Sequence, residues 1–315
     1  MSKVLCLTAL FLLGTASGSI AIAADPADIQ LGTETTSRWR FGIVVKAPAA
    51  GSITGIMASY PVPIDWPEQQ VKVVSEKVSP LVAKVSYRVL DDGVKQMLVS
   101  IPRLRAGEEA SAIVEYEITK RAILPPESPA GLTAPEPGRD TRNFFRPSPY
   151  IESTDPQIEK LAPDTIAGKT EPWEQAEAIY SWVRENVKYE FSPDIKPATT
   201  ALKAGKGDCE ELTSLFIAFC RANKIPARAV WVPDHCYPEF LLQDAKGIGH
   251  WYPCQAAGAN HDFGRMDEKR PILQKGDNFK VPEERTPQRY VKQFLKAANA
   301  TADPDVKFIL ERVKQ

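Results

Sequence analysis

The sequence predicts an α+β fold, with an N-terminal β-sandwich followed by a domain in which helices pack on an antiparallel sheet. Three observations predict it. Six short β-branched segments between positions 38 and 120 are separated by Gly, Pro or Asp. Seven prolines then crowd positions 125–149. Beyond them, apolar residues recur at helical spacing before the strand pattern returns at Ala227.

The chain has 315 residues, enough for two folded units that each bury a core. Hydrophobic residues at 43% and charged residues at 25% describe a globular body and exclude both a disordered chain and a polytopic membrane protein. The 39 Lys and Arg nearly cancel the 40 Asp and Glu, leaving a net charge of -1. No large field is available to attract nucleic acid, and partners must be recognised locally. The N-terminus follows Lys3 with an apolar run from Val4 to Leu13 and small residues up to Ala24. This is the order of a signal peptide over 1–24, and it predicts an exported protein, periplasmic or secreted. Membrane attachment is expected only if that segment stays uncleaved. Cys6 precedes the apolar core and is no lipidation site.

The strands of the sandwich, assigned to 25–124, are RWRFGIVVKA, SITGIMASYPV, QVKVVSEKV, AKVSYRVL, KQMLVSIP and SAIVEYEITK. Residues 125–149 read as an extended linker, because each proline removes a backbone donor. Residues 150–315 form the second domain. Asp155-Pro156 starts one helix, and from Pro172 the series Trp173, Ala176, Ile179, Tyr180, Val183 and Val187 marks another, with Trp182 and Tyr189 as core aromatics. At the C-terminal end, 287–298 and 304–313 read as two short helices packed on the core.

The segment Gly205-Lys206-Gly207-Asp208-Cys209-Glu210-Glu211-Leu212 carries the chemistry. Leu212, Leu215, Phe216 and Phe219 form an apolar helical stripe, Asp208 suits the N-cap, and Asn223 with Pro226 closes the helix. Cys209 falls in the first turn, where the helix dipole and unpaired N–H groups favour the thiolate that attacks a carbonyl. A buried filler cysteine belongs on the apolar stripe, as Cys220 does, and Cys209 is off it. Gly207 and Asp208 are candidates to line the substrate cleft. A nucleophilic thiol needs a base, and the chain has only His235, His250 and His261. Ala227–Val232 reads as a strand, Pro233-Asp234 as a turn, and His235–Leu242 and 249–255 as a hairpin joined through 243–248.

Gly-Asp-Cys-Glu-Glu-Leu-Thr, Cys-Arg-Ala-Asn-Lys-Ile-Pro-Ala-Arg, His-Cys-Tyr-Pro-Glu-Phe and Trp-Tyr-Pro together resemble the bacterial transglutaminase-like domain, over Tyr150 to Gln255. The resemblance implies a papain-like core with Cys209 as nucleophile and His235 as base, and it gives His250 and His261 no part. Where the family usually carries Asp as third member, this chain has Gln255. An amide oxygen still accepts the imidazole N–H but adds no negative charge.

Pairing His235 with Gln255 across the hairpin would set Cys236 opposite Cys254 and Glu239 opposite Trp251. His235, Glu239, Trp251 and Gln255 would then face the Cys209 helix, with Cys236 and Cys254 on the other face. This makes Glu239 an alternative orienting group, Trp251 a cleft residue, and Cys236–Cys254 either a disulfide or two buried thiols. Cys209 and Cys220 lie about 16 Å apart along one helix and cannot bridge. No CxxC, HExxH or Walker spacing is present, so neither a metal nor a cofactor is expected. The expected function is acyl transfer or amide hydrolysis on a protein or peptide substrate through a Cys-His-Gln triad. The alternative is a non-catalytic protein that holds a peptide or envelope component in the same cleft. Oligomeric state is not legible.

Overall fold

A computed structural model describes residues 30–91, 93–259, 262–300 and 302–314. The signal segment, Cys6 and His261 lie outside the described residues. The elements begin with β1 (Leu31–Lys46), β2 (Ile53–Val62), β3 (Gln69–Val78), β4 (Lys84–Leu90), β5 (Val94–Leu104) and β6 (Glu109–Ile123). There follow α1 (Pro156–Thr165), α2 (Pro172–Asn186), β7 (Lys188–Tyr189), α3 (Ala198–Ala204), β8 (Lys206–Gly207) and α4 (Cys209–Ala222). The chain ends with β9 (Ala227–Val232), β10 (His235–Gln243), β11 (Gly249–Pro253), β12 (Gln274–Lys275), β13 (Phe294–Lys296), β14 (Asn299–Ala300) and β15 (Asp305–Arg312).

The N-terminal strands form a sandwich because their apolar residues alternate. Phe41, Ile43 and Val45 of β1, Val114, Tyr116 and Ile118 of β6, and Met97, Val99 and Ile101 of β5 meet in one core. One layer has the order β15-β1-β6-β3. The other runs β11-β10-β9-β12-β5-β2-β13, with β4 on β5 and β14 on β2, so a single sheet passes from the sandwich to the strands beside α4. At Gly42 a Cβ would lie 2.2 Å from the Ala112 carbonyl oxygen, so only glycine lets β1 and β6 approach there. The short β12 joins the two parts by pairing with both β9 and β5. Beside it, Lys275 Nζ lies 2.7 Å from Glu68 and 3.1 Å from Glu239, all three buried.

The second core centres on α4, which is buried continuously from Glu211 to Arg221. The single stripe expected from the sequence widens to the whole circumference, because α1, α2 and α3 surround the helix and β9 and β10 close its remaining side. The proline-rich stretch forms only one 3-10 turn, Arg142–Phe145. It lies along the second core: Leu132 is buried there, Thr133 and Gln243 exchange backbone hydrogen bonds, and Phe144 meets the Trp251 ring edge-on at 5.0 Å.

The C-terminal helices are a correction. Residues 305–312 form β15 on the edge of β1, and 294–296 form β13 on β2. Val306, Phe308 and Leu310 pack against the sandwich core at a period of two, and the open edge of β1 supplies partners that outweigh the helix propensity of this Leu-, Lys- and Glu-containing segment.

Candidate active site

The start of α4 is held by a reciprocal cap. The Asp208 carboxylate accepts the Glu210 N–H at 2.8 Å, and Glu211 reaches back to accept the Asp208 N–H at 2.9 Å. Glu211 also accepts the Lys196 N–H at 2.7 Å, tying the preceding loop over the helix end. A Cβ on Gly207 would lie 2.8 Å from Glu211 Cβ, so this glycine lets the cap close. Gly207 also borders a small groove with Phe191 and Lys196. Gly205 at φ 64 ends α3 in the left-handed conformation. Asp208 is therefore a capping residue, 4% exposed, rather than an open wall of the cleft.

This cap presents Cys209, half-buried, as the first helical residue. Its thiol is pulled down to about 5, foremost by a hydrogen bond from the Cys236 thiol; burial opposes this, and the hydrogen bond and charge of His235 reinforce it. Nε2 of His235 lies 2.9 Å from Gln255 Oε1. That oxygen only accepts, so Nε2 carries the hydrogen and Nδ1 is left to serve the thiol. Burial acts to lower the His235 pKa, but the contact with Cys209 and the bond to Gln255 together raise it above its ordinary value. Thiolate and imidazolium therefore stabilise one another. The three residues expected to form the triad converge.

Gln255 is positioned by its backbone. Its N–H donates to the Asp262 carbonyl at 2.7 Å, and its carbonyl accepts from Arg184 at 2.6 Å. Arg184, in the last turn of α2, also donates to the Gly258 carbonyl at 2.8 Å. No sequence signal marked Arg184, since a basic residue in a final helical turn is equally suited to the helix dipole. Gln255→Asp should restore a carboxylate beside the imidazolium and raise the His235 pKa by about one unit or more. NMR titration of the ring would record it as an upward shift of the midpoint.

Other assignments are corrected by the register. Glu239 pairs with Pro253 and Leu241 with Trp251, a shift of two residues from the expected hairpin. The Asp244 carboxylate gathers the N–H groups of Lys246 and Ile248 at 2.8 and 3.0 Å, and Gly247 sits at φ 77, which fixes a longer turn. Cys254 consequently bonds through its N–H to the Pro238 carbonyl instead of opposing Cys236, and both cysteines are free thiols. The faces are also reversed. Cys236, Phe240 and Leu242 face α4. Glu239 lies with Arg228 and Lys275, and Trp251 stacks under the Arg228 guanidinium at 3.9 Å, so neither residue orients the imidazole or lines the cleft at Cys209. His235 opens β10 directly after the turn, as the first residue of the ladder, paired with Val232 of β9.

His250 is buried near the hairpin turn and contacts Asp244 at 3.3 Å. Trp182 packs edge-on against Phe219, but Tyr189 is 57% exposed, so it is no core aromatic; partial desolvation, then the charges of Cys209 and Asp208, shift its hydroxyl upward. Carboxylate oxygens of Asp208, Glu210 and Glu211 lie within 4.8 Å of one another. Two of these groups already serve the helix cap. Glu210, pushed up to about 7 by burial and by the neighbouring Asp208 and Cys209 charges, holds its proton below that pH.

Residues 159–256 match the model of the transglutaminase-like superfamily. An uncharacterised protein of Haemophilus influenzae is 34% identical over 100 residues, which are 29% of this chain and 26% of that protein. This chain thus spans about a quarter of that relative. A crystal structure from Cytophaga hutchinsonii, provisionally described as a cysteine protease, covers 90% of this chain and 93% of its own, with a TM-score of 0.57 and 14% identity. The shared fold therefore extends from the papain-like core through the N-terminal sheet region.

Proposed function

We propose that this transglutaminase-like, papain-like domain is a cysteine enzyme that cleaves or transfers acyl groups of a peptide substrate through a thioester on Cys209. The observation that carries the reading is the convergence of Cys209, at the mouth of α4, with His235 and the Gln255 amide oxygen.

The Cys209 thiolate attacks the amide carbonyl carbon, forming the S–C bond and moving the carbonyl electrons onto oxygen. The Cys209 N–H, at the first position of α4 and without an intrahelical acceptor, faces that charge as one donor. As the intermediate collapses, the C–N bond breaks and Nδ1–H of His235 protonates the departing amine. Neutral His235 then takes a proton from water or from an acceptor amine, whose attack on the thioester releases the acyl group and restores the thiolate. Gln255 keeps the ring aligned throughout by accepting from Nε2.

The same groups define a pH profile. The thiolate forms as pH rises through about 5, and the imidazolium is lost above its raised pKa, beyond the ordinary value of 6.5. The rate of Cys209 acylation should rise through the first and fall through the second, which stopped-flow measurement with a peptide ester would resolve. Export rests on Met1–Ala24 alone, and the mass of the protein recovered outside the cytoplasm would test it.

A peptide aldehyde probe tests the chemistry. Rapid modification mapped to Cys209 and abolished in His235→Ala is expected; slow modification indifferent to that substitution would leave a binding protein in place of an enzyme.

A further inference from the structure

The segment that follows α2 is pinned to the approach to Cys209 through every second residue. The Lys188 N–H donates to the Gly205 carbonyl at 2.9 Å, and the Glu190 N–H to the Gly207 carbonyl at 2.7 Å. The Ser192 N–H reaches the Asp208 carboxylate at 3.4 Å. In a parallel ladder these residues turn their backbone groups toward the neighbouring strand, and the residues between them turn theirs away. The N–H and C=O groups of Tyr189 and Phe191 therefore face an open edge. β7 pairs with β8 alone, and neither residue has a backbone hydrogen-bond partner among the described residues. Free strand edges are ordinarily blunted by charge, proline or a covering loop. Here the outward positions carry aromatic rings instead, 57% exposed at Tyr189 and 75% at Phe191. Phe191 also borders a groove whose other walls include Lys196, Thr200, Ala201 and Gly207.

We propose that the open edge at Tyr189 and Phe191 receives the substrate peptide as an added strand, with an apolar or aromatic side chain of that peptide set against Phe191. The proposal rests on the acyl-transfer reading above, which makes the peptide a substrate. Unpaired donors and acceptors repeated at extended spacing match a polypeptide backbone. The hydrogen bonds they offer are independent of sequence, so the contact with the Phe191 ring sets the preference. The distances suit the chemistry. Gly207, opposite Tyr189, lies two residues ahead of Cys209, and two strand spacings, about 10 Å, separate β8 from an added strand. An extended chain covers that distance in about three residues. The edge would thus hold residues about three positions from the reacting carbonyl and leave the thiol open to the carbonyl itself. Asp208 and Glu211 fasten both the start of α4 and the 192–196 segment, so nucleophile and peptide share one rigid support.

Cys209→Ala in the full chain removes turnover, so that binding is read by itself. The probes are capped seven-residue Ala-Ser peptides carrying one Phe at each position in turn, beside the same set carrying Asp. In titration calorimetry, one position should give a Phe peptide bound at least about 10-fold more tightly than its Asp counterpart. Phe191→Ser should abolish that preference. Val89→Ser, which removes a valine of β4 that is 54% exposed, should leave it in place. Hydrogen exchange at the Tyr189 and Phe191 amides should be fast in the free protein and at least about 10-fold slower with the Phe peptide bound. Equal affinities across both sets, a preference that survives Phe191→Ser, or unchanged exchange at both amides overturns the proposal. The tightest peptide, made as an ester and given to wild type, tests the chemistry separately. If it protects the two amides and leaves Cys209 unacylated, the edge stands and the acyl-transfer reading falls. If esters acylate Cys209 without protecting either amide, the chemistry stands and the edge falls.

Discussion

Cys209→Ser is expected to lower kcat/KM on a peptide ester or amide by about 10⁴-fold or more, with a change in unfolding free energy of no more than about 0.5 kcal/mol. The contacts around position 209 stabilise an anion by bringing an already acidic thiol down to about 5. A hydroxyl starts so much higher that the same contacts leave it protonated, and the attacking species is lost. The side chain is nearly isosteric and only half-buried, so packing changes little. Steady-state kinetics beside urea denaturation separates the two effects. A serine variant retaining a tenth of the activity would mean that another group attacks the substrate.

The second large effect concerns folding. Arg221, in the last turn of α4, has every donor engaged: the Ala227 carbonyl at 3.1 and 2.7 Å, the Arg146 carbonyl at 2.8 Å, Ser148 Oγ at 3.0 Å, and Asp277 at 2.9 and 2.8 Å. The two charged side chains are 0% and 2% exposed. Asp277→Ala removes the only carboxylate in this network and leaves a guanidinium charge uncompensated in the interior. A loss of about 3–5 kcal/mol in unfolding free energy is expected from urea titration. A loss under about 1 kcal/mol would mean that water reaches Arg221 and replaces the carboxylate. Because the network joins the proline-rich stretch, the end of α4 and the start of β9, that stretch should become more accessible to protease in the variant.

Much of the site was legible because local rules coincide there. Asp208 and Glu211 bracket the first turn of α4, apolar residues fill the helix, and Asn223 with Pro226 ends it, so Cys209 could be set at a helix mouth. The resemblance then added His235 and Gln255. What failed was non-local. A register error of two residues at the Asp244–Gly247 turn sufficed to oppose Cys236 to Cys254. The face turned toward α4 depends on which side of the sheet the helix packs, and alternation alone is symmetric on that point. Arg184 acts on Gln255 through two backbone carbonyls, which leave no mark on residue type. At 305–312 the alternation of Val306, Phe308 and Leu310 was present, but its strand partner, β1, lies at the other end of the chain.

Acylation of Cys209, with His235 as the proton donor, is the step on which the proposed chemistry depends. Rapid-quench peptide mass spectrometry during turnover of a peptide ester would capture it. The acyl mass should appear on the Cys209 peptide within the first turnover, discharged in wild type and absent or greatly delayed in His235→Ala. Substrate consumption without an acyl mass on Cys209, or acylation at the same rate in both proteins, would rule out a Cys209 thioester formed with the help of His235.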